Sequence, residues 1–260
     1  MPTARLKIEY DGRRYSGWAA QAGSLTVQGE LEAALQQITQ QPITLTAAGR
    51  TDAGVHASGQ VASFTHEAPL PEPFAERVNA VLPRDIAVLS AEAAPDRFDA
   101  RRDARSRSYR YRLLVSTIRR PLEEGRALWW RFPLDRAALD VCAEAVVGKH
   151  DFTAFTPTQT EHVLFERDVI SCSWVHERSS ADRSTAGGEA EGTIETLLGL
   201  EITAPSFMRN QVRVLTGTML EVGGGRRTPD DFFALLEGAP RRHAGETAPA
   251  HGLYLVGVSY

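Results

Sequence analysis

Ala48-Gly49-Arg50-Thr51-Asp52-Ala53-Gly54-Val55-His56-Ala57-Ser58-Gly59-Gln60 is the stretch on which the fold turns. It joins two apolar segments, Ile43 to Ala48 and Gln60 to Thr65, that both read as strands. An ordinary hairpin needs a loop of roughly two to five residues. This link is longer and carries three glycines, which permit strained backbone or the close approach of another group. It therefore reads as a working loop between the two middle strands of a larger unit.

Outward from the loop, the rest of that unit follows. Arg5 to Tyr10 alternates, with Leu6, Ile8 and Tyr10 on one face of a strand. Thr26 is placed to cap a helix whose apolar stripe is Val27, Leu31, Ala34 and Ile38. After the loop, Pro73 opens a helix carrying Phe74, Val78, Val81 and Leu82, and Pro83 stops it. Ile86 to Ala91 is the last strand. The order is βαββαβ, the split βαβ arrangement of ferredoxin-like units.

The same order recurs further on. Arg107 to Val115 is a strand with Tyr109, Tyr111, Leu113 and Val115 on one face. Asp135 to Val147 is a helix closed by Gly148. Val169 to Val175 and Ile194 to Thr203 read as strands, and Ser179 to Gly192 between them as a loop. Ser206 is placed to cap a long helix with Met208, Val212, Leu215, Met219 and Val222 on its stripe, ended by Gly223-Gly224-Gly225. A short helix follows, with Thr228 as cap, Pro229 in its first turn and Gly238 beyond its end. Leu253 to Val258 closes the second unit. The expected fold is α+β: two βαββαβ halves, 1–104 with the loop and 105–260, joined into one continuous, mainly antiparallel sheet. Helices are expected on one side, around a central cleft.

Composition sets bounds on function. The chain has 260 residues, 42% hydrophobic and 24% charged, enough apolar content for a core and no sign of global disorder. No apolar run approaches the roughly 18 residues of a membrane span, and the N-terminus lacks a secretory core. Cys142 and Cys172 match no metal or redox spacing, so a soluble, reduced, cytoplasmic protein is expected. The net charge of −4 does not suggest a nucleic-acid binder. From Arg97 to Arg120, however, nine arginines face only Asp99 and Asp103, a local excess of seven positive charges. Such a stripe can contact phosphates while the whole molecule stays acidic. With 27 arginines and two lysines in the chain, the run also fits a solvated face produced by composition.

Within the loop, Arg50 and Asp52 set a carboxylate beside a cation. That suits a catalytic site, and it equally suits an Asx-turn aspartate with a solvent-paired arginine. His56 suits a general base but more readily a satisfied structural histidine.

Gly49-Arg50-Thr51-Asp52-Ala53-Gly54-Val55-His56 resembles the signature loop of the TruA family of pseudouridine synthases. Further blocks fall in order around it. Tyr10-Asp11-Gly12, Tyr15, Gly17-Trp18 and Val27-Gln28 resemble the family's N-terminal segment. Phe98-Asp99-Ala100-Arg101 with Tyr109-Arg110-Tyr111 resembles its central motif, and Asp151-Phe152-Thr153-Ala154-Phe155 a further block. Phe207 to Gly223, with Val212-Arg213, resembles its third catalytic motif, and Thr247-Ala248-Pro249-Ala250 with Gly252-Leu253-Tyr254-Leu255 its C-terminal block. One departure concerns a loop expected near the RNA: Trp18 is followed by Ala19-Ala20-Gln21, where the family usually has Gln directly after Gly-Trp.

The resemblance implies a tRNA pseudouridine synthase, an isomerase that needs no cofactor or metal. Asp52 is then the catalytic nucleophile, and Arg213 its cationic partner. On residues alone, Arg213 also fits a surface arginine paired locally, for example with Glu221. Tyr109 is placed to stack on the target base or take its C5 proton, whereas Tyr111 reads as core. Arg50 would hold the flipped nucleotide, with His56 beside it. Arg102 and Arg105, with Arg226-Arg227 and Arg241-Arg242, would meet phosphates. The implied substrate is the anticodon arm of tRNA at positions 38, 39 and 40, and the implied active form a homodimer. The alternative is a non-catalytic RNA-binding module of two RRM-like halves, but Gln60 to Thr65 lacks the aromatic pattern it needs. A glycosidase would need a second paired carboxylate and a phosphotransferase an Asp cluster; neither accompanies Asp52.

Overall fold

The computed structural model describes residues 2–67, 69–159, 163–177 and 196–260. The expected loop from Ser179 to Gly192 lies outside the described residues. The fold is α+β, and the chain divides into two compact units, Met1–Ser108 with Tyr254–Tyr260, and Tyr109–Leu253.

The first unit is built on β1 (Thr3–Tyr10), which pairs antiparallel with β3 (His56–Thr65) and with β4 (Ile86–Ala94). Leu6 and Ile8 are fully buried while Lys7 and Glu9 are exposed, so the alternation sorts side chains between core and solvent. Helix α1 (Val27–Thr39) starts where expected: the Thr26 hydroxyl accepts a hydrogen bond from the Gly29 N–H at 3.3 Å. Its buried stripe is Val27, Leu31, Ala34 and Leu35, with Ile38 only half-buried.

Two expectations in this unit are corrected. The strand expected over 43–48 shrinks to β2 (Thr46–Ala47), because side chains of α1 take up the backbone groups before it. The Glu32 carboxylate accepts from the Leu45 N–H at 2.8 Å and the Gln28 amide donates to the Leu45 carbonyl at 3.4 Å. Helix α2 (Phe74–Asn79) stops before Val81 and Leu82. The Asn79 side chain instead makes two 2.8 Å hydrogen bonds with the backbone of Val88 on β4.

The second unit holds most of β5 (Ser106–Val115), then β6 (Leu128–Trp130), which runs parallel to it. Helix α3 (Arg136–Ala145) is capped by Asp135. Strands β7 (Gly148–Asp151) and β8 (Glu166–Val169) form a separate antiparallel pair that the sequence pattern did not reveal. Val169 therefore ends β8, and the next strand is β9 (Ser171–Glu177), antiparallel to β10 (Thr196–Ala204). Helix α4 (Gln211–Gly223) begins later than Ser206; its N-cap is Asn210 with φ +60° and no side-chain capping bond. Short α5 (Pro229–Leu235) carries the expected cap, with Thr228 and Asp231 bonded reciprocally. The last strand, β11 (Leu253–Ser259), pairs in parallel with β3 at Tyr254–His56 and Leu255–Ala57. It thus supplies a strand to the first unit, although the repeated element order had assigned it to the second. Among the described residues no helix is long and apolar enough to cross a membrane.

Candidate active site

The loop between β2 and β3 is held along its whole length by its own unit. At its start, the Arg107 guanidinium donates twice to the Ala48 carbonyl, at 2.7 and 3.0 Å. The fully buried Gln60 amide donates to the Gly49 carbonyl at 2.7 Å. In the middle, the Thr51 hydroxyl meets the Tyr10 hydroxyl at 2.7 Å, and the Trp18 N–H donates to the Thr51 carbonyl at 3.0 Å. Beyond Asp52, the Gly54 N–H reaches the Tyr15 carbonyl at 3.3 Å and the Val55 N–H closes a turn on the Asp52 carbonyl at 3.1 Å. Tyr10, Tyr15, Trp18 and Thr51 are all buried.

Two glycines permit this docking. A Cβ at Gly12 would lie 1.9 Å from the Val55 carbonyl oxygen. Gly17 has φ +98°, and a Cβ there would lie 2.7 Å from the Thr51 carbonyl oxygen. The block Tyr10-Asp11-Gly12, Tyr15, Gly17-Trp18 is therefore a cradle for the loop. Asp52 sits half-buried at its edge and Arg50 is exposed.

His56 is different. It is 3% exposed, its ring stacks on Tyr254 at 4.6 Å, and its Nδ1 accepts the Gly12 N–H at 3.2 Å. It belongs to the end of the cradle, the structural role its residue type favours. The Asp11 carboxylate lies 3.3 Å from the same nitrogen. Burial works against ionisation of Asp11, but hydrogen bonds from Arg13 outweigh it and hold the carboxyl below its ordinary range. At the departure from the family pattern, the Ala20 N–H is taken by the Gln28 side chain at 3.2 Å.

The second unit holds Tyr109 and Arg213. Tyr109 is 9% exposed and meets Phe207 edge to face at 5.2 Å. Tyr111, on the same strand face, is fully buried, donates to the Pro249 carbonyl at 2.9 Å, and is pushed up in pKa by burial. It is core, as expected. Arg213 is half-buried near the start of α4. Its Nε donates to the Ala248 carbonyl at 2.8 Å, its Nη1 to Asn210 Oδ1 at 3.1 Å, and its own carbonyl accepts the Ala248 N–H at 3.1 Å. Glu221, the acid offered as its local partner, pairs with Arg227 at 3.1 Å.

The arginine run does not survive as a stripe. Arg107 bonds into the loop that carries Asp52. Arg110 pairs with Glu201 and with Glu177, the latter at 3.4 Å. Arg112 pairs with Glu177 at 2.8 Å and Glu123 at 3.0 Å. Acids distant in sequence thus neutralise what looked like a cationic strand. Arg101, Arg102 and Arg105 stay exposed on the turn that precedes β5, with Arg102 3.7 Å from Asp99. Of the two later pairs, Arg227 and Arg241 are tied into their own surroundings, while Arg226 and Arg242 are exposed.

Sequence reading missed the supporting residues Tyr10, Thr51, Gln60 and Arg107 near Asp52, and Asn210 and Ala248 around Arg213. Several lie inside quoted motif blocks, which is the one signal that could have flagged them.

The family described as tRNA pseudouridine synthase matches residues 7–103 and 142–260. A tRNA pseudouridine synthase A from Pelobacter propionicus is 40% identical over 100% of both chains. One from Caulobacter vibrioides is 40% identical over 100% of this chain and 99% of its own. One from Thermus thermophilus is 44% identical over 98% of this chain and 95% of its own.

Proposed function

We propose, from the premise that the chain belongs to the tRNA pseudouridine synthase family, that it modifies the anticodon arm of tRNA at uridines 38, 39 and 40 and does so with Asp52. The enzyme is an isomerase and its substrate is tRNA. In the reaction the uracil N1–ribose C1′ bond breaks and a C5–C1′ bond forms. N1 gains a proton and C5 loses one, so the formula is unchanged and no co-substrate enters the balance.

A carboxylate is needed where charge develops on the sugar or base, and Asp52 supplies it. The observation that supports this assignment is the docking of the loop: Thr51 and Gly54, on either side of half-buried Asp52, are bonded to the cradle, so the backbone that carries the carboxylate is fixed. Arg213 is the cation and Tyr109 the aromatic ring that this reading assigns to the reaction, Tyr109 receiving the base. Both are held by their own surroundings, which suits groups that must meet a nucleotide without reorganising. A uridine must first leave its stack, at a cost of a few kcal/mol. Exposed Arg50, beside Asp52, holds the displaced nucleotide, while Arg102 and Arg105 meet phosphates. The active form is a homodimer.

The test is incubation with an unmodified transcript carrying uridines at all three positions, followed by position-resolved pseudouridine mapping. Product at those positions is expected. Product confined to another arm of the tRNA would contradict the site assignment on the substrate.

A further inference from the structure

We infer that Tyr10 and Thr51 act as one positioning pair that sets the geometry of Asp52, an inference resting on the reading of Asp52 as the catalytic carboxylate. Three observations converge. The two hydroxyls are 2.7 Å apart and both residues are buried, Tyr10 at 3% and Thr51 at 7% exposure. Thr51 immediately precedes Asp52, so its backbone sets where the carboxylate begins. The same residue is fixed a second time through its carbonyl, which accepts the Trp18 N–H at 3.0 Å, with Gly17 packed too closely to admit a side chain.

The pair links the loop to β1, the strand at the centre of the first unit's hydrogen-bonded ladder. Tyr10 is the last residue of that strand, and its ring packs against Trp18 at 5.9 Å. Its phenol is thus carried by rigid structure and reaches a loop residue 41 positions away. A catalytic group held by a scaffold in this way stays within the tolerance the chemistry demands, whereas a loop free to move by about 1 Å loses roughly a hundredfold in rate. Neither hydroxyl needs to touch the substrate, so both are positioning residues.

The experiment is a double-mutant cycle in the full-length enzyme, read as the single-turnover rate with enzyme in excess over tRNA. Excess enzyme keeps the rate constant independent of modest losses of folded protein. Tyr10→Phe and Thr51→Val should each lower the rate about 10- to 100-fold while changing tRNA affinity less than about twofold. The double variant should fall within about twofold of the worse single, because both changes remove one interaction. Thr51→Ser keeps the hydroxyl and should recover the rate to within about threefold of the parent. Asp52→Asn is run alongside. If it turns over normally, the reading of Asp52 fails. If it is dead while Tyr10→Phe and Thr51→Val keep parental rates, or while the two losses multiply, the positioning pair alone is wrong. Should Thr51→Val not fold, Tyr10→Phe, which keeps the ring in place, decides the matter with Thr51→Ser.

Discussion

The loop from Ala48 to His56 and the run from Arg97 to Arg120 are both conspicuous in the sequence, and the fold treats them in opposite ways. In the loop, the neighbours of the two charged residues do the holding. Ala48, Gly49, Thr51 and Gly54 make hydrogen bonds with the cradle, Gln60 and Arg107, while Asp52 lies half-buried among them and Arg50 is exposed. In the run, the charged residues themselves do the holding: Arg107, Arg110 and Arg112 are spent on a carbonyl and on Glu177, Glu201 and Glu123. A linear cluster of charge therefore says little until its partners are known, because acids from other strands reach it. A charged pair flanked by small residues says more, because those small residues let the backbone dock closely against its neighbours.

The largest effect that can break this comparison is at Gly12. An added Cβ would meet the Val55 carbonyl at 1.9 Å, backbone against backbone, so the loop must shift. Gly12→Ala should lower the single-turnover rate at least about a hundredfold and cost about 1–3 kcal/mol of stability. A parental rate in this variant would mean that the cradle does not control the loop.

Arg107 sharpens the comparison, since it belongs to the run by sequence and to the loop by contact. Arg107→Met leaves the buried Ala48 carbonyl without these two donors, at a cost of about 1–3 kcal/mol. Urea unfolding should show that loss. The slope of tRNA affinity against salt should stay as it is, and a reduced slope would return Arg107 to the phosphate-binding set.

The smallest effect is on the exposed turn. Changing Arg102 and Arg105 together to Gln should lower the salt slope by about 1.8 if each neutralises one duplex phosphate, with the rate at saturating tRNA little changed. Arg110→Gln, whose charge is already paired, is the control and should leave the slope where it was. Equal slopes in both variants and the parent would make the whole run a solvated or internally paired face.

Where signals are local, the sequence was enough. Thr228 and Pro229 mark the start of α5, and the structure places the cap there, completed by Asp231. Val27, Leu31 and Ala34 gave the stripe of α1 in the same way. Signals that depend on distant groups were not legible. The start of α4 moved from Ser206 to Asn210, a residue at φ +60° that also anchors the Arg213 side chain. The strand before the Asp52 loop shortened because Gln28 and Glu32, on a helix, took the backbone groups of Leu45. The last strand pairs with β3 across nearly 200 positions, which no periodicity encodes. Asp52, Arg50, Tyr109 and Arg213 were proposed as site residues through motif resemblance. Their supports, Tyr10 through Thr51 and Ala248 through Arg213, exist only in three dimensions.

The most direct test of the central claim is Asp52→Asn, nearly isosteric, assayed in single turnover and by tRNA binding in parallel. The account predicts no detectable pseudouridine and a tRNA affinity within about tenfold of the parent, roughly 1.4 kcal/mol. Turnover within tenfold of the parent would remove Asp52 from the chemistry and leave its cradle a structural feature of the fold.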